Sequence, residues 1–293
     1  MLGPLATKEV RLRGAIIADR IDLLDLFHCF FGALSYKYMP RDPSIGTLVL
    51  LHGLGASHQQ FDMIATQTSS SASVLLIDLP GHGENVVPPG CDISFENYCD
   101  LILSLFDELQ LNQVDIVGIS MGSALAMKCA NRRPELVRQL ILVRPSWLAS
   151  GAPEHLSLID RCGQWLASLP TEQALECLEA DPFYVEMRDD VPLAAQSVRG
   201  VFDRPHARAH APVLSAMFHD APFATFNDVR TIAAPAIVIG THADSLHPVA
   251  ITNATANALP NAELRILPPR YLQPEKHQAA LNELILGTIG DLA

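Results

Sequence analysis

Five short apolar runs separated by helical patterns constrain this chain more than anything else in its 293 residues. They are TLVLL (47–51), SVLLI (73–77), QVDIVG (113–118), VRQLILV (137–143) and PAIVIG (235–240), and none alternates polar with apolar residues. Runs of Val, Ile and Leu without alternation suit strands buried on both faces. Between most of them lie QQFDMIATQ, SFENYCDLILSLFDELQ and MGSALAMKCANRR, which carry helical spacing. In the second, Ser94 is a natural N-cap and Glu96 suits the positive end of the helix dipole. A helix between successive strands returns the chain to the same sheet edge, so the strands run parallel and the fold is of the α/β class.

The alternation stops after residue 146 and resumes near 234, leaving about 85 residues of short helices and loops. This divides the chain into a core domain, 1–146 and 229–293, and a helical insertion, 147–228. The insertion carries Trp147, Trp165 and eight of the eighteen aromatic residues, so it must cover apolar surface. Each of these aromatic groups is expected either to pack between helices or to line a substrate cavity, and a preference for short, apolar acyl chains over long or highly charged ones is expected from that content. Before residue 47, FFGALSYKYM reads as a first strand entered from a helix.

A net charge of −12, with Lys and Arg scattered, excludes a phosphate backbone as partner. The six cysteines stand far apart without a C-x-x-C pair or a zinc-type His spacing, so they read as buried thiols and no metal is expected. AIIADRIDLLDLFHCFF is broken by Asp19, Asp22 and Asp25, which argues against a signal peptide or a membrane span. A cytoplasmic protein with a small-molecule substrate and no cofactor is expected, and oligomeric state leaves no mark in the sequence.

Chemistry concentrates in Gly118-Ile119-Ser120-Met121-Gly122, which ends the strand VDIVG and opens the helix SALAMKCA. A turn this sharp strains its central residue, needs small neighbours two before and two after, and lifts the Ser120 hydroxyl above the sheet edge. The helix start beneath it offers free N–H groups for a developing oxyanion. His52-Gly53-Leu54-Gly55 follows TLVLL directly, and its glycines leave the Leu54 N–H free to face the same space as the Met121 N–H. His52 itself reads as a loop anchor. A serine nucleophile needs a base and an acid that orients it, and in this strand order both follow it in the chain. Asp244 is the single acid in the turn GTHADSLHP, and His277 is the last histidine, placed between the strand-like ELRILPP and the helix QAALNELIL. Asp244 is therefore the expected acid and His277 the expected base, with His242 and His247 as neighbouring loop or pocket residues. Arg144, Trp147 and His247 are candidate substrate contacts. Arg144 could hold a substrate carboxylate, although an ion pair with an acid of the insertion is the simpler expectation.

HGLG, DLPGHG, GISMG, the G-x-x-x-D of 240–244 with its following HP, and a late histidine together resemble the α/β-hydrolase superfamily, in its capped serine-hydrolase form. The likeness runs from about residue 34 to the end and implies a mostly parallel eight-stranded sheet flanked by helices. It also implies a helical cap after the sixth strand, active residues on loops at the strand C-terminal ends, and no cofactor. Asp78 and His82 match a structural turn of such proteins. Ser120 stands where the dehalogenases and epoxide hydrolases of the superfamily carry Asp, which disfavours both. Ser123 replaces a frequent glycine, and ILPPRYLQPEKH lengthens the loop before His277. The function implied is hydrolysis of a small carboxylic ester or related acyl compound through an acyl-enzyme. Carbon–carbon bond hydrolysis and proline-releasing peptidase activity are the enzymatic alternatives, and small-molecule binding without turnover is the non-enzymatic one.

Overall fold

The computed structural model describes residues 29–31, 34–41, 46–68, 72–88 and 90–290. The first 28 residues, and with them the expected entry helix, lie outside the described residues. Eight strands form one sheet: β1 (Cys29–Phe31), β2 (Leu34–Met39), β3 (Thr47–Leu51), β4 (Ser73–Asp78), β5 (Val114–Ile119), β6 (Val137–Val143), β7 (Ala236–Thr241) and β8 (Ala262–Leu267). Their spatial order is β1-β2-β4-β3-β5-β6-β7-β8. β1 and β2 pair antiparallel, as do β2 and β4, and every other pairing is parallel. The stretch FFGALSYKYM thus contributes to two antiparallel edge strands, β1 and β2, rather than to a single strand.

The apolar runs are buried on both faces because successive side chains enter different cores. Leu48, Leu50, Val74, Leu76, Val117 and Ile119 pack with α1 (Asp62–Thr68) and α11 (Pro274–Gly290) through Ile64, Leu281 and Ile285. Val49, Leu51, Leu75, Ile77 and Ile116 face the other way, onto α2 (Phe95–Glu108) and α3 (Met121–Arg132). The period of two is present, with both phases apolar. Ser94 caps α2 by accepting the Asn97 N–H at 3.2 Å, and Glu96 pairs with Lys128 at 2.6 Å and with Arg132.

Between β6 and β7 the chain makes six α-helices, of which the first five are α4 (Ser157–Ser168), α5 (Thr171–Glu179), α6 (Pro182–Asp190), α7 (Pro192–Arg199) and α8 (Ala207–His219). α4 and α8 meet at Gly163, where a Cβ would come 2.9 Å from Leu214 Cβ and 3.0 Å from the Ala211 carbonyl oxygen. α9 (Phe226–Arg230) leads back to the sheet and α10 (Val249–Ala258) joins β7 to β8. β3 leads to β4 on one side while β5 to β8 extend to the other. The crevice beyond the C-terminal ends of β3 and β5 is therefore the switch point at which open parallel sheets bind ligands.

Candidate active site

Register brings the site residues together. Leu51 is level with Gly118, Ile119 with Val143, Val143 with Ile239 and Thr241 with Leu267, so each following loop leaves the same edge. Those loops carry Gly53 and Leu54, Ser120, Arg144, Asp244 and His247, and Arg270 and Tyr271. All but Asp244 line one inner cavity of about 90 Å³, with Trp147 and, from the insertion, Leu156, Val198, Val201 and Arg204.

Ser120 has φ 54° and ψ −109°, a conformation that costs a non-glycine residue about 1–3 kcal/mol. Its N–H donates to the Val143 carbonyl at 2.9 Å, and its Oγ lies 3.2 Å from Ser146 Oγ. The flanking glycines are required by close approach. A Cβ on Gly118 would overlap the Gly122 carbonyl, and one on Gly122 would overlap the Leu51 and His52 carbonyls. Because backbone cannot rotate away, Gly122→Ala is expected to cost about 3 kcal/mol or more, read as a lowered unfolding midpoint in urea. Wild-type stability in that variant would show that the turn tolerates a methyl group. Ser123, in place of a further glycine, is fully buried, and its hydroxyl donates to the Gly118 carbonyl at 2.7 Å.

The turn after β3 lies beside Ser120, since a Cβ on Gly53 would come 3.6 Å from Ser120 Cβ. His52 anchors it as a buried neutral imidazole. Nδ1–H donates to the Gly53 carbonyl at 2.9 Å, and Nε2 accepts the Leu79 N–H at 3.2 Å. Gly53 N–H donates to Gln60 Oε1 at 3.0 Å. Asp78 fixes the far end of the same loop by accepting the His58 backbone N–H at 2.6 Å and its ring Nδ1–H at 2.7 Å. Among the described residues no acceptor meets the Leu54 N–H, and Met121, first residue of α3, has no intrahelical partner for its own.

Asp244 follows Ala243, another residue at positive φ (55°), and is buried. It accepts the Nδ1–H of His247 at 3.0 Å to each carboxylate oxygen, and Arg144 Nη1 lies 3.8 Å from its Oδ2. Burial pushes the Asp244 carboxyl up, but His247 and then Arg144 outweigh it and hold it well below the usual carboxylate range. Burial brings His247 below its ordinary value of 6.5 despite Asp244, so the imidazole is neutral and its Nε2 carries a lone pair.

His277 feels the charges of Asp244, Arg144 and Arg270 but is not hydrogen-bonded to Asp244 among the described residues. The sequence places it on a loop ahead of a helix, whereas α11 begins at Pro274, a residue whose fixed φ suits the first helical position, and His277 falls inside the first turn. Its Nδ1–H donates to the Pro268 carbonyl at 2.8 Å, and its buried Nε2 has no partner among the described residues. It lines a separate surface cavity, whose wall includes Arg270 and Tyr271, residues that also line the Ser120 cavity. Neither His247 nor His277 is hydrogen-bonded to Ser120 Oγ among the described residues.

Arg144 forms no ion pair with an acid of the insertion, contrary to the simpler expectation, and its nearest carboxylate is Asp244. For most aromatic residues of the insertion the outcome is helix packing. Of the aromatic residues at 147–228 only Trp147 reaches the inner cavity, and Arg204 and Arg270, which no sequence pattern marked, stand beside it. Among the described residues no group of His, Cys, Asp and Glu could hold a metal ion, and no helix is long and apolar enough to cross a membrane.

Comparison with known proteins agrees with this architecture. A family model described as alpha/beta hydrolase fold matches residues 46–177. A putative carbamate hydrolase, RutD, of Pseudomonas syringae pv. syringae is 28% identical over 226 residues, which are 75% of this chain and 84% of that protein. The sn-1-specific diacylglycerol lipase ABHD11 of Mus musculus is 31% identical over 125 residues, 42% of this chain but only 40% of the lipase. Among solved structures, MenH from S. aureus superposes with a TM-score of 0.69 at 19% identity, covering 88% of this chain and 98% of that one. A meta-cleavage product hydrolase from Pseudomonas fluorescens IP01 gives 0.66 at 19% identity over 89% and 95% of the two chains. The family model matches just under half of the chain, the solved structures share its fold, and the curated relatives are named as hydrolases, which together support a hydrolase with the α/β-hydrolase fold.

Proposed function

We propose that the chain is a serine hydrolase that cleaves a small carboxylic ester or related acyl compound through an acyl-enzyme on Ser120. The observation that carries this reading is the strained Ser120 turn set against the Gly53-Leu54 turn over one cavity. Ser120 Oγ attacks the carbonyl carbon and its proton passes to an imidazole Nε2. The Leu54 and Met121 N–H groups donate to the oxyanion, worth about 3–4 kcal/mol each in comparable sites. Collapse expels the alcohol, which takes the proton from the imidazole, and a water then repeats the sequence on the acyl-enzyme. The helices at 147–228 act as the cap that keeps bulk water out.

Asp244 orients the base. Two histidines compete for that part: His277, by its place in the chain, and His247, whose support is its hydrogen bond to both Asp244 oxygens and its position on the cavity wall. We assign the base to His247. The reading as a whole is tested by a fluorophosphonate, which reacts with serines that have both an activated hydroxyl and oxyanion donors. Stoichiometric labelling mapped to Ser120 is expected. An unlabelled native protein would favour small-molecule binding on this fold without turnover.

A further inference from the structure

Three arginines line the cavity that holds Ser120: Arg144, from the loop after β6, and Arg270, from the loop after β8, whose charge acts on Arg144; and Arg204, from the insertion, whose guanidinium lies against Gly55 and near His52 and His82. Arg144 is 4% exposed, and its Nε and Nη1 have no hydrogen-bond partner among the described residues. Its backbone sits at φ 49° immediately before Pro145, where neither the left-handed region nor a helical conformation is favoured, so the fold holds this side chain at a cost. Nη1 of Arg204 is likewise buried without a partner. Arg270 spends one N–H on the Tyr271 hydroxyl at 2.9 Å and lies over that ring. The buried Trp147 Nε1–H, also on the cavity wall, has no acceptor.

Charge is as unbalanced as the hydrogen bonding. Among the described residues Asp244 is the one carboxylate that acts on Arg144, and it is already engaged by His247. Burial pulls Arg144 down to about 10, with the neighbouring Arg270 charge adding to the effect, and burial alone pulls Arg204 to about 10. Both remain protonated at neutral pH. Buried cations with a single distant carboxylate, as for Arg144, or with none, as for Arg204 among the described residues, are costly, and a chain with net charge −12 had carboxylates to spare for neutralising them. A group of largely buried cations left short of acceptors, beside a nucleophile, is complementary to an anion that arrives with the ligand.

Resting on the serine-hydrolase reading above, the geometry points to an acidic substrate whose acyl half ends in a carboxylate, which Arg144 and Arg204 bind with Arg270 while Ser120 faces the carbonyl. The inner cavity of about 90 Å³ admits only a short acyl chain. An outer cavity of about 530 Å³ shares Ala56, Gln60, Val201 and Arg204 with it and gives the alcohol half its room.

Two activated esters of matched length separate charge from size: p-nitrophenyl hydrogen succinate, which ends in a carboxylate, and p-nitrophenyl pentanoate, which ends in a methyl group. For the native enzyme kcat/KM is expected to favour the succinate ester by about 30-fold or more, since a hydrogen bond to a charged group contributes about 1.5–3 kcal/mol. Arg144→Gln should bring the ratio within about 3-fold of one. Arg204→Gln, at a partly exposed position, should lower it as well and serves if Arg144→Gln does not fold. A native ratio at or below one, or a ratio unchanged in both variants and in Arg270→Gln, overturns the inference while leaving the serine-hydrolase reading in place. If neither ester turns over and Ser120 resists labelling, that reading falls, and free succinate titrated calorimetrically into the native protein decides the site. Binding that Arg144→Gln abolishes upholds it, and no binding overturns it.

Discussion

Ser120→Ala is expected to lower kcat/KM for p-nitrophenyl esters by about five orders of magnitude, with an unfolding midpoint within a few degrees of the native one. The size of the loss follows from the role of the hydroxyl. Without it no acyl-enzyme forms, and what remains is attack by water under whatever help the N–H groups of Leu54 and Met121 give. The small stability change follows from the backbone. Alanine bears a Cβ and suffers the same strain at φ 54°, so the substitution neither relieves the turn nor adds to it. The hydroxyl has one side-chain neighbour, Ser146 Oγ at 3.2 Å. Losing that contact is worth about 1 kcal/mol at most. Activity retained above a few per cent in the purified variant would remove Ser120 from the mechanism. A large fall in midpoint would mean that the hydroxyl holds the turn together, and the kinetic loss would then need to be remeasured on folded protein alone.

The sheet was legible because its signal is local. Unalternating runs of Val, Ile and Leu mark strands wherever they occur, and TLVLL and VRQLILV became β3 and β6 without a shifted residue. The turns at 52–55 and 118–122 were legible for a related reason: close backbone approach admits few residue types, and glycine at a fixed offset records it. What the sequence did not disclose depends on contacts between distant segments. Arg204 and Arg270 are ordinary arginines in helix- and loop-forming stretches, and nothing nearby reveals that 60 and 126 residues past Arg144 they reach one cavity. The aromatic residues of the insertion left their role open in composition alone. Phe202, Phe218 and Phe223 are buried within the core instead of lining the cavity, because composition states how much apolar surface a segment must hide but not on which face. The start of α11 turned on Pro274, whose preference for a first helical turn outweighed its reading as part of a proline-rich loop.

His247→Ala is expected to slow fluorophosphonate labelling of Ser120 by about three orders of magnitude or more, whereas His277→Ala should change it by only a few fold. The contrast tests the one assignment on which chain order and geometry part company. A base needs Nδ1–H held by a carboxylate so that Nε2 presents its lone pair, and Asp244 gives this to His247 at 3.0 Å. The Nδ1–H of His277 is held by the Pro268 carbonyl, which fixes a tautomer but supplies no negative charge to the imidazolium that forms during attack. The pH profile adds an independent check. Burial keeps the pKa of His247 below 6.5, and catalysis needs the neutral ring, so the acid limb of kcat/KM should have its midpoint below pH 6.5. Asp244→Asn withdraws the carboxylate and should slow labelling by about 10³ or more while raising no barrier to folding as large as a lost core residue. His277 is 2% exposed, so its alanine variant will lose stability, and its labelling rate must be read at a temperature where it is folded. If His277→Ala nevertheless abolishes labelling and His247→Ala does not, the base is His277. The first turn of α11 would then have to open and release Nδ1 from Pro268 before the ring could turn past Arg270 and Tyr271 toward Ser120. That motion would appear as hydrogen exchange at residues 274–277 faster than in the rest of the helix.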